Sequence, residues 1–145
     1  MAVSLISQIQ GTWLLVSMTY EDKDSNIIDL YGKEPFGILT YDSSGYMNAQ
    51  MGYNNRKLFQ NDSLADGSPE EIKNAYTTYM GYYGKYREPS PGVLVHEVKG
   101  CLFPNWQGKE EIRYAAIDGE LLVISTPPTL FKDTEIVIKA VWRRP

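Results

Sequence analysis

Gly11-Thr12-Trp13-Leu14-Leu15-Val16-Ser17-Met18-Thr19-Tyr20 opens the first strand-like run of the chain, and Trp142-Arg143-Arg144 closes the last. Residues 12–20 are rich in the β-branched and aromatic types that suit a pleated surface. A Gly-x-Trp at the start and an arginine at the finish predict a sheet whose last strand returns to its first. In such a barrel the Arg144 guanidinium lies over the Trp13 indole and plugs one end. Arg144 is the expected partner rather than Arg143, because it shares its face with Ile136, Ile138, Ala140 and Trp142. In the first run Trp13, Leu15 and Ser17 share one face, and Leu14, Val16 and Met18 the other. Both faces are largely apolar, so one is expected to line the barrel and the other to lie under a helix.

Working outward, residues 36–42 and 46–53 read as two strands joined by Ser43-Ser44-Gly45, where Gly45 can take a positive φ. Met47, Ala49 and Met51 alternate with Asn48 and Gln50, the pattern of a half-buried strand. Residues 54–67 are polar and loop-like. Ser68-Pro69-Glu70-Glu71 then announces a helix, with Ser68 as N-cap, Pro69 in the first turn and Glu71 completing a capping box. Ile72, Ala75, Tyr76 and Tyr79 follow at helical spacing, and Gly81 is the expected stop. This helix is expected against the outside of the barrel. Residues 82–87, 93–103, 110–117, 121–125 and 135–144 supply five more strands. Asp118-Gly119 is the strongest hairpin signal among their turns. Eight antiparallel strands with one inserted helix, and room for a short N-terminal one, form an all-β closed barrel around a small ligand.

A chain of 145 residues suits one domain, taken here as 1–145, and 43% apolar residues suffice for a core without staples. The lone Cys101 cannot form an internal disulfide and has no partner for a redox or zinc motif. Met1-Ala2-Val3-Ser4-Leu5-Ile6 lacks a basic start and a long apolar stretch and reads as a poor signal peptide. No run is long enough to span a bilayer. These features together predict a soluble cytoplasmic protein. The net charge of −4 without a basic block argues against nucleic acid as a partner. Eleven tyrosines suit either ordinary strands or a partly wet cavity.

Several ordered motifs resemble one family. They are Gly11-Thr12-Trp13-x-Leu15-Val16-Ser17, Gly37-x-Leu39-x-Tyr41-x-x-x-Gly45-x-Met47-x-Ala49-Gln50 and Tyr83-Gly84-Lys85-Tyr86. Val95-His96-x-Val98, Pro104-Asn105-Trp106-x-Gly108, Arg113 and the closing Trp142-x-Arg144 complete the set. The series resembles the bacterial and fungal lipocalin-like domains of the calycin superfamily and covers nearly the whole chain. The resemblance implies a barrel with an internal cavity. It does not imply one reaction, since calycins include passive carriers and cofactor-free cyclases and isomerases.

The candidate site residues follow from alternation and from these motifs. His96 shares a face with Leu94, Val98 and Leu102, opposite Glu97 and Lys99, which places it inside. It reads either as a core histidine held by one hydrogen bond or as a cavity acid/base near neutral pH. With no second ligand cluster beside His96, no metal is expected, and no cofactor fingerprint is present. Arg113, if inward, needs a carboxylate, carbonyl or ligand anion, because an unpaired buried charge is unfavourable. Tyr83 joins these two as a candidate catalytic group. Tyr41, Asn48, Gln50, Tyr86, Asn105 and Trp106 are candidate ligand contacts, with Trp106 expected at the rim. Cys101 falls on the Glu97 and Lys99 face, which disfavours a nucleophilic role. The Trp13 and Arg144 pair is expected to be structural.

Three functions fit. One is a carrier of a small apolar or aromatic molecule. The second is a cofactor-independent isomerase or cyclase of a secondary metabolite, acting on a polyketide- or terpenoid-like intermediate by confinement and polarisation. The third is a self-associating domain with a filled core. A cytoplasmic setting favours the enzyme, while oligomeric state, a homodimer included, stays open.

Overall fold

A computed structural model describes residues 4–145. The signal-peptide reading of the first six residues therefore falls partly outside the described residues. A short helix α1 (Leu5–Ile9) leads into β1 (Gly11–Glu21) and β2 (Ile27–Asp29). Next come β3 (Phe36–Tyr41), β4 (Tyr46–Gly52), helix α2 (Pro69–Thr77), β5 (Tyr79–Ser90) and β6 (Val93–Cys101). A 3₁₀ turn at Pro104–Trp106 precedes β7 (Glu110–Asp118) and β8 (Leu121–Ser125). A small hairpin of β9 (Thr129–Phe131) and β10 (Thr134–Ile136) leads into the last strand, β11 (Lys139–Arg143).

The main sheet orders its nine strands β11-β8-β7-β6-β5-β4-β3-β1-β2, and β11 also pairs with β1. With β2 hanging on the far half of β1, eight strands remain in the ring, and every pairing is antiparallel. The expected barrel is therefore closed. Its core runs through Leu39, Tyr41, Met47, Ala49, Leu94, Val98 and Leu122, all almost without exposure.

The closing contact forms at the end where β1 begins. The Arg144 guanidinium stands 3.8 Å from the Trp13 ring centre and donates to the carbonyls of Thr12 and Gln8. The Trp13 indole N–H donates to the Ile9 carbonyl at 2.8 Å, so α1 is stitched across the same end. Gly11 has φ +110°, and a Cβ there would stand 2.9 Å from Arg144 Nη1. The glycine of the opening motif thus serves both the turn into the strand and the seating of the arginine.

Two irregularities decide which side chains face inward. In β1 the pairing with β11 steps from Leu15↔Trp142 to Ser17↔Val141, leaving Val16 as an extra residue. Val16 is exposed at 42%, and Met18, opposite Ala140, lines the cavity. Uniform alternation along β1 is therefore corrected. So is the expected helix over its outer face: α1 precedes the strand and buries Ile9 at the closed end instead.

Between β5 and β6 the register steps from Tyr83↔Gly100 to Gly84↔Val98, which leaves Lys99 as the extra residue. Past that step Cys101 pairs with Tyr82 and packs half-buried against the core, not on the Glu97 and Lys99 face. The strands approach so closely here that a Cβ on Gly84 would fall on the Glu97 carbonyl oxygen. Gly84→Ala is expected to destabilise by about 1–3 kcal/mol or more through forced strand separation. A urea titration showing a lower midpoint checks it.

Helix α2 begins with the expected capping box at Ser68 and Glu71. It ends earlier than expected, at Thr77, where the Thr77 and Thr78 hydroxyls turn back onto the Lys73 and Asn74 carbonyls. Tyr79 belongs to β5, paired with Gly52. The helix buries no residue, and Ile72 and Tyr76 on it are exposed, so it has no apolar face to lay on the barrel wall. It stands at the mouth instead, held by Arg56, which donates to the Ala75 carbonyl and the Thr78 hydroxyl.

Candidate ligand-binding site

The barrel encloses a cavity of about 920 Å³, within the size range of small-molecule sites. Its mouth lies among Tyr31, Tyr53, Tyr76 of α2, Phe103 and the β9–β10 hairpin residues Leu130 and Phe131. Tyr31 and Tyr53 meet edge to face at 5.7 Å, and burial pushes the Tyr31 hydroxyl up to about 12. Most of the wall is apolar: Leu39, Ala49, Met51, Ile124 and Ala140 come from β3, β4, β8 and β11.

The polar part of the wall centres on His96, which is 1% exposed. Tyr41 Oη lies 2.8 Å from its Nε2 and Tyr82 Oη 2.8 Å from its Nδ1, so both ring nitrogens are engaged. Burial, helped by the nearby Arg113 charge, pushes the imidazole down to about 3. His96 is therefore neutral at pH 7, held by two hydrogen bonds rather than one. Burial also raises the Tyr41 and Tyr82 hydroxyls, with Arg113 pulling the other way on each.

Arg113 is 6% exposed, which settles its direction: β7 turns it inward. Its guanidinium lies 5.4 Å from the Trp106 ring centre, donates to the Ile112 carbonyl and stands 3.9 Å from the Glu111 carboxylate. That carboxyl is itself raised by burial, against the pull of Arg113 and Lys109. Trp106 and Tyr82 meet edge to face at 5.8 Å, and Trp106 lines the cavity.

The structure thus brings Tyr41, His96, Trp106 and Arg113 to one cavity. It separates the other candidates from it. Tyr83 is 53% exposed, and it lines a shallow outer groove with Asn48 and Gln50. Gln50 accepts there from the Tyr79 hydroxyl, and its amide donates to Asn48. Placing Tyr83, Asn48 and Gln50 at the cavity is corrected, because the strand pleat sends them outward while Met47, Ala49 and Met51 turn in. Tyr86 is buried but fastens the closed end, its hydroxyl donating to the Asp42 carbonyl and its ring 4.8 Å from Tyr41. Asn105 is exposed in the 3₁₀ turn.

Tyr82 and Trp142 add polar groups to the cavity wall that the sequence reading does not include. Tyr82 has the strand parity of Tyr86, and that parity was the available signal. Trp142 shares the Arg144 face, and in the sequence it points only to the barrel's closure. It is 3% exposed and lines the cavity, and its indole N–H has no hydrogen-bond partner.

A closed antiparallel barrel, plugged by Trp13 and Arg144 and enclosing a mostly apolar cavity, defines the lipocalin-like class. The chain belongs to the lipocalin-like domain family, whose model matches residues 10–145. It is also 27% identical over 106 residues to the 4'-hydroxy-3'-methoxypropiophenone carrier protein of Aspergillus oryzae, a match spanning 68% of this chain and 96% of that protein. Among the described residues no helix is long and apolar enough to cross a membrane, and no cluster of His, Cys, Asp or Glu could hold a metal ion.

Proposed function

We propose that this protein is a reversible carrier of a small aromatic molecule bearing an oxygen substituent, enclosed in the barrel cavity. The observation that carries the reading is a mostly apolar cavity whose one histidine has both ring nitrogens engaged by buried tyrosine hydroxyls at 2.8 Å. His96 is the group best placed for proton transfer, yet it is held down to about 3 and so lacks the poise of a general base near neutral pH. Tyr82 beside it is raised, so neither partner exchanges protons readily at pH 7. Such a wall orients a ligand and leaves it unchanged. Similarity to a protein named as the carrier of an aryl ketone supports the same class of cargo. The unpaired Cys101 fits a reducing, cytoplasmic setting.

The expected result is a stoichiometric complex with 4'-hydroxy-3'-methoxypropiophenone, visible by native mass spectrometry, from which the compound is recovered intact. Recovery of an isomerised or cyclised product faster than in buffer would instead favour a cofactor-free isomerase or cyclase. That second reading draws on the Tyr41–His96–Tyr82 chain, whose neutral imidazole can pass a proton by exchanging tautomers. Deuterium uptake next to the ligand carbonyl in D₂O separates the two: a carrier gives the rate of buffer alone.

A further inference from the structure

We infer that the Trp142 indole N–H is a ligand-binding donor, and that the cavity selects a ligand whose buried oxygen accepts hydrogen bonds and carries partial or full negative charge. The inference rests on the carrier reading and names the chemistry of the cargo.

A buried N–H without a partner is destabilising, and native structures rarely keep one without a use. Trp142 Nε1 is such a group, and it lies in a cavity wall rather than in solid core. The other two tryptophan rings are differently employed: Trp13 donates to Ile9, and Trp106 lies under the Arg113 guanidinium and meets Tyr82 edge to face.

The hydrogen-bond balance of the His96 chain points the same way. A neutral imidazole has one N–H and one lone pair. With a tyrosine oxygen 2.8 Å from each nitrogen, one tyrosine donates and the other accepts. The accepting tyrosine keeps a hydroxyl proton that needs a further acceptor. Both tyrosines line the cavity, but Tyr41 is wholly buried, whereas Tyr82 is 6% exposed and has the Arg113 guanidinium drawing on its oxygen lone pairs. The spare proton therefore sits on Tyr82 and points into the cavity. Trp142, Tyr82 and Arg113 together offer donors to the cavity. The nearest carboxylate, Glu111, stands 3.9 Å from Arg113 and is not part of the cavity wall. A surplus of donors calls for an acceptor brought by the ligand.

Titration calorimetry with acetylnaphthalene and ethylnaphthalene, which differ in one carbonyl oxygen, tests this on the wild type and on Trp142→Phe. The substitution keeps an aromatic ring and removes the N–H. The ketone is expected to bind the wild type more tightly than the hydrocarbon does and to lose about tenfold in Trp142→Phe, the usual scale of one desolvated hydrogen bond. The hydrocarbon's affinity should not change. Equal losses for both probes, or no loss for the ketone, would overturn the inference while leaving the carrier reading standing. Failure of the wild type to bind either probe would overturn both.

A measurement on the wild type is independent of how the variant folds. The Trp142 indole proton resonance should move downfield with the ketone and not with the hydrocarbon, and a resonance indifferent to the ketone counts against the inference. Naphthoate separates the two kinds of oxygen. Binding tighter than the ketone's, lost in Arg113→Gln, assigns an anion, and weaker binding assigns a neutral carbonyl.

Discussion

His96→Leu is expected to lower folding stability by about 2–6 kcal/mol, because it strands two buried tyrosine hydroxyls at about 1–3 kcal/mol each. Tyr41 has no described hydrogen-bond partner besides the histidine, and leucine supplies neither donor nor acceptor. Urea unfolding of the variant measures the loss. Adding Tyr41→Phe and Tyr82→Phe should restore most of it, since a fully apolar replacement removes the unpaired groups. If the triple variant is no more stable than His96→Leu, the imidazole's role is packing and not hydrogen bonding.

The same substitution changes the response to acid. Above pH 6.5 the imidazole is neutral in folded and unfolded chains alike and adds no pH dependence. Between pH 6.5 and about 3 the unfolded chain takes up a proton that the folded chain excludes. Stability should therefore fall as pH falls through that window, by up to about 1.4 kcal/mol per pH unit. Asp22, Asp42 and Glu71, whose carboxyls are held below their usual values, add slope of the same sign lower in the range. Glu111, which is raised, opposes it. The difference between wild type and His96→Leu isolates the histidine. Matching slopes between pH 6.5 and 4.5 would show that its proton affinity is ordinary in the folded state.

Trp13→Ala is expected to cost about 3–5 kcal/mol, the range for emptying a buried tryptophan site. The loss falls on one end of the barrel. Without the indole, Ile9 loses the N–H it accepts, Arg144 loses its ring, and the side-chain contact that reinforces the β1–β11 pairing at this end is gone. Amide exchange should accelerate most in α1 and at the β1–β11 pairing, and less around β5 and β6. Trp13→Phe, which keeps a ring under Arg144 but not the N–H, should lie between wild type and alanine.

Much of this barrel was legible in the sequence, for reasons that particular residues make plain. The eight ring strands are apolar runs bounded by strong turn residues, and the plug was visible because Gly11, Trp13 and Arg144 are rare types in meaningful places. Strands β2 and β9 leave no sign in the sequence, and β10, which the sequence reading merges into one strand over 135–144, is a separate strand paired with β9. Each has three residues and exists by pairing with a neighbour, leaving no periodicity of its own. Tyr79 continued a helical spacing, and only the pairing with Gly52 made it strand.

The candidate site was half legible. His96, Arg113, Tyr41 and Trp106 were found because polar or aromatic residues among apolar neighbours stand out. Tyr83 and Tyr86 cannot both face the cavity, because residues three apart on a strand point to opposite faces. Tyr82 was the consistent choice. Cys101 and Met18 were misplaced because a one-residue bulge leaves no mark in residue type alone.

The bulge at Val16 makes β1 behave like a message with a shifted reading frame. Upstream of it odd positions such as Trp13 and Leu15 are spelled inward, and downstream Met18, an even one, takes over. Removing that single letter would leave every other residue unchanged and yet transpose inside and outside for half the strand. Length at this point is as much a part of the code as identity.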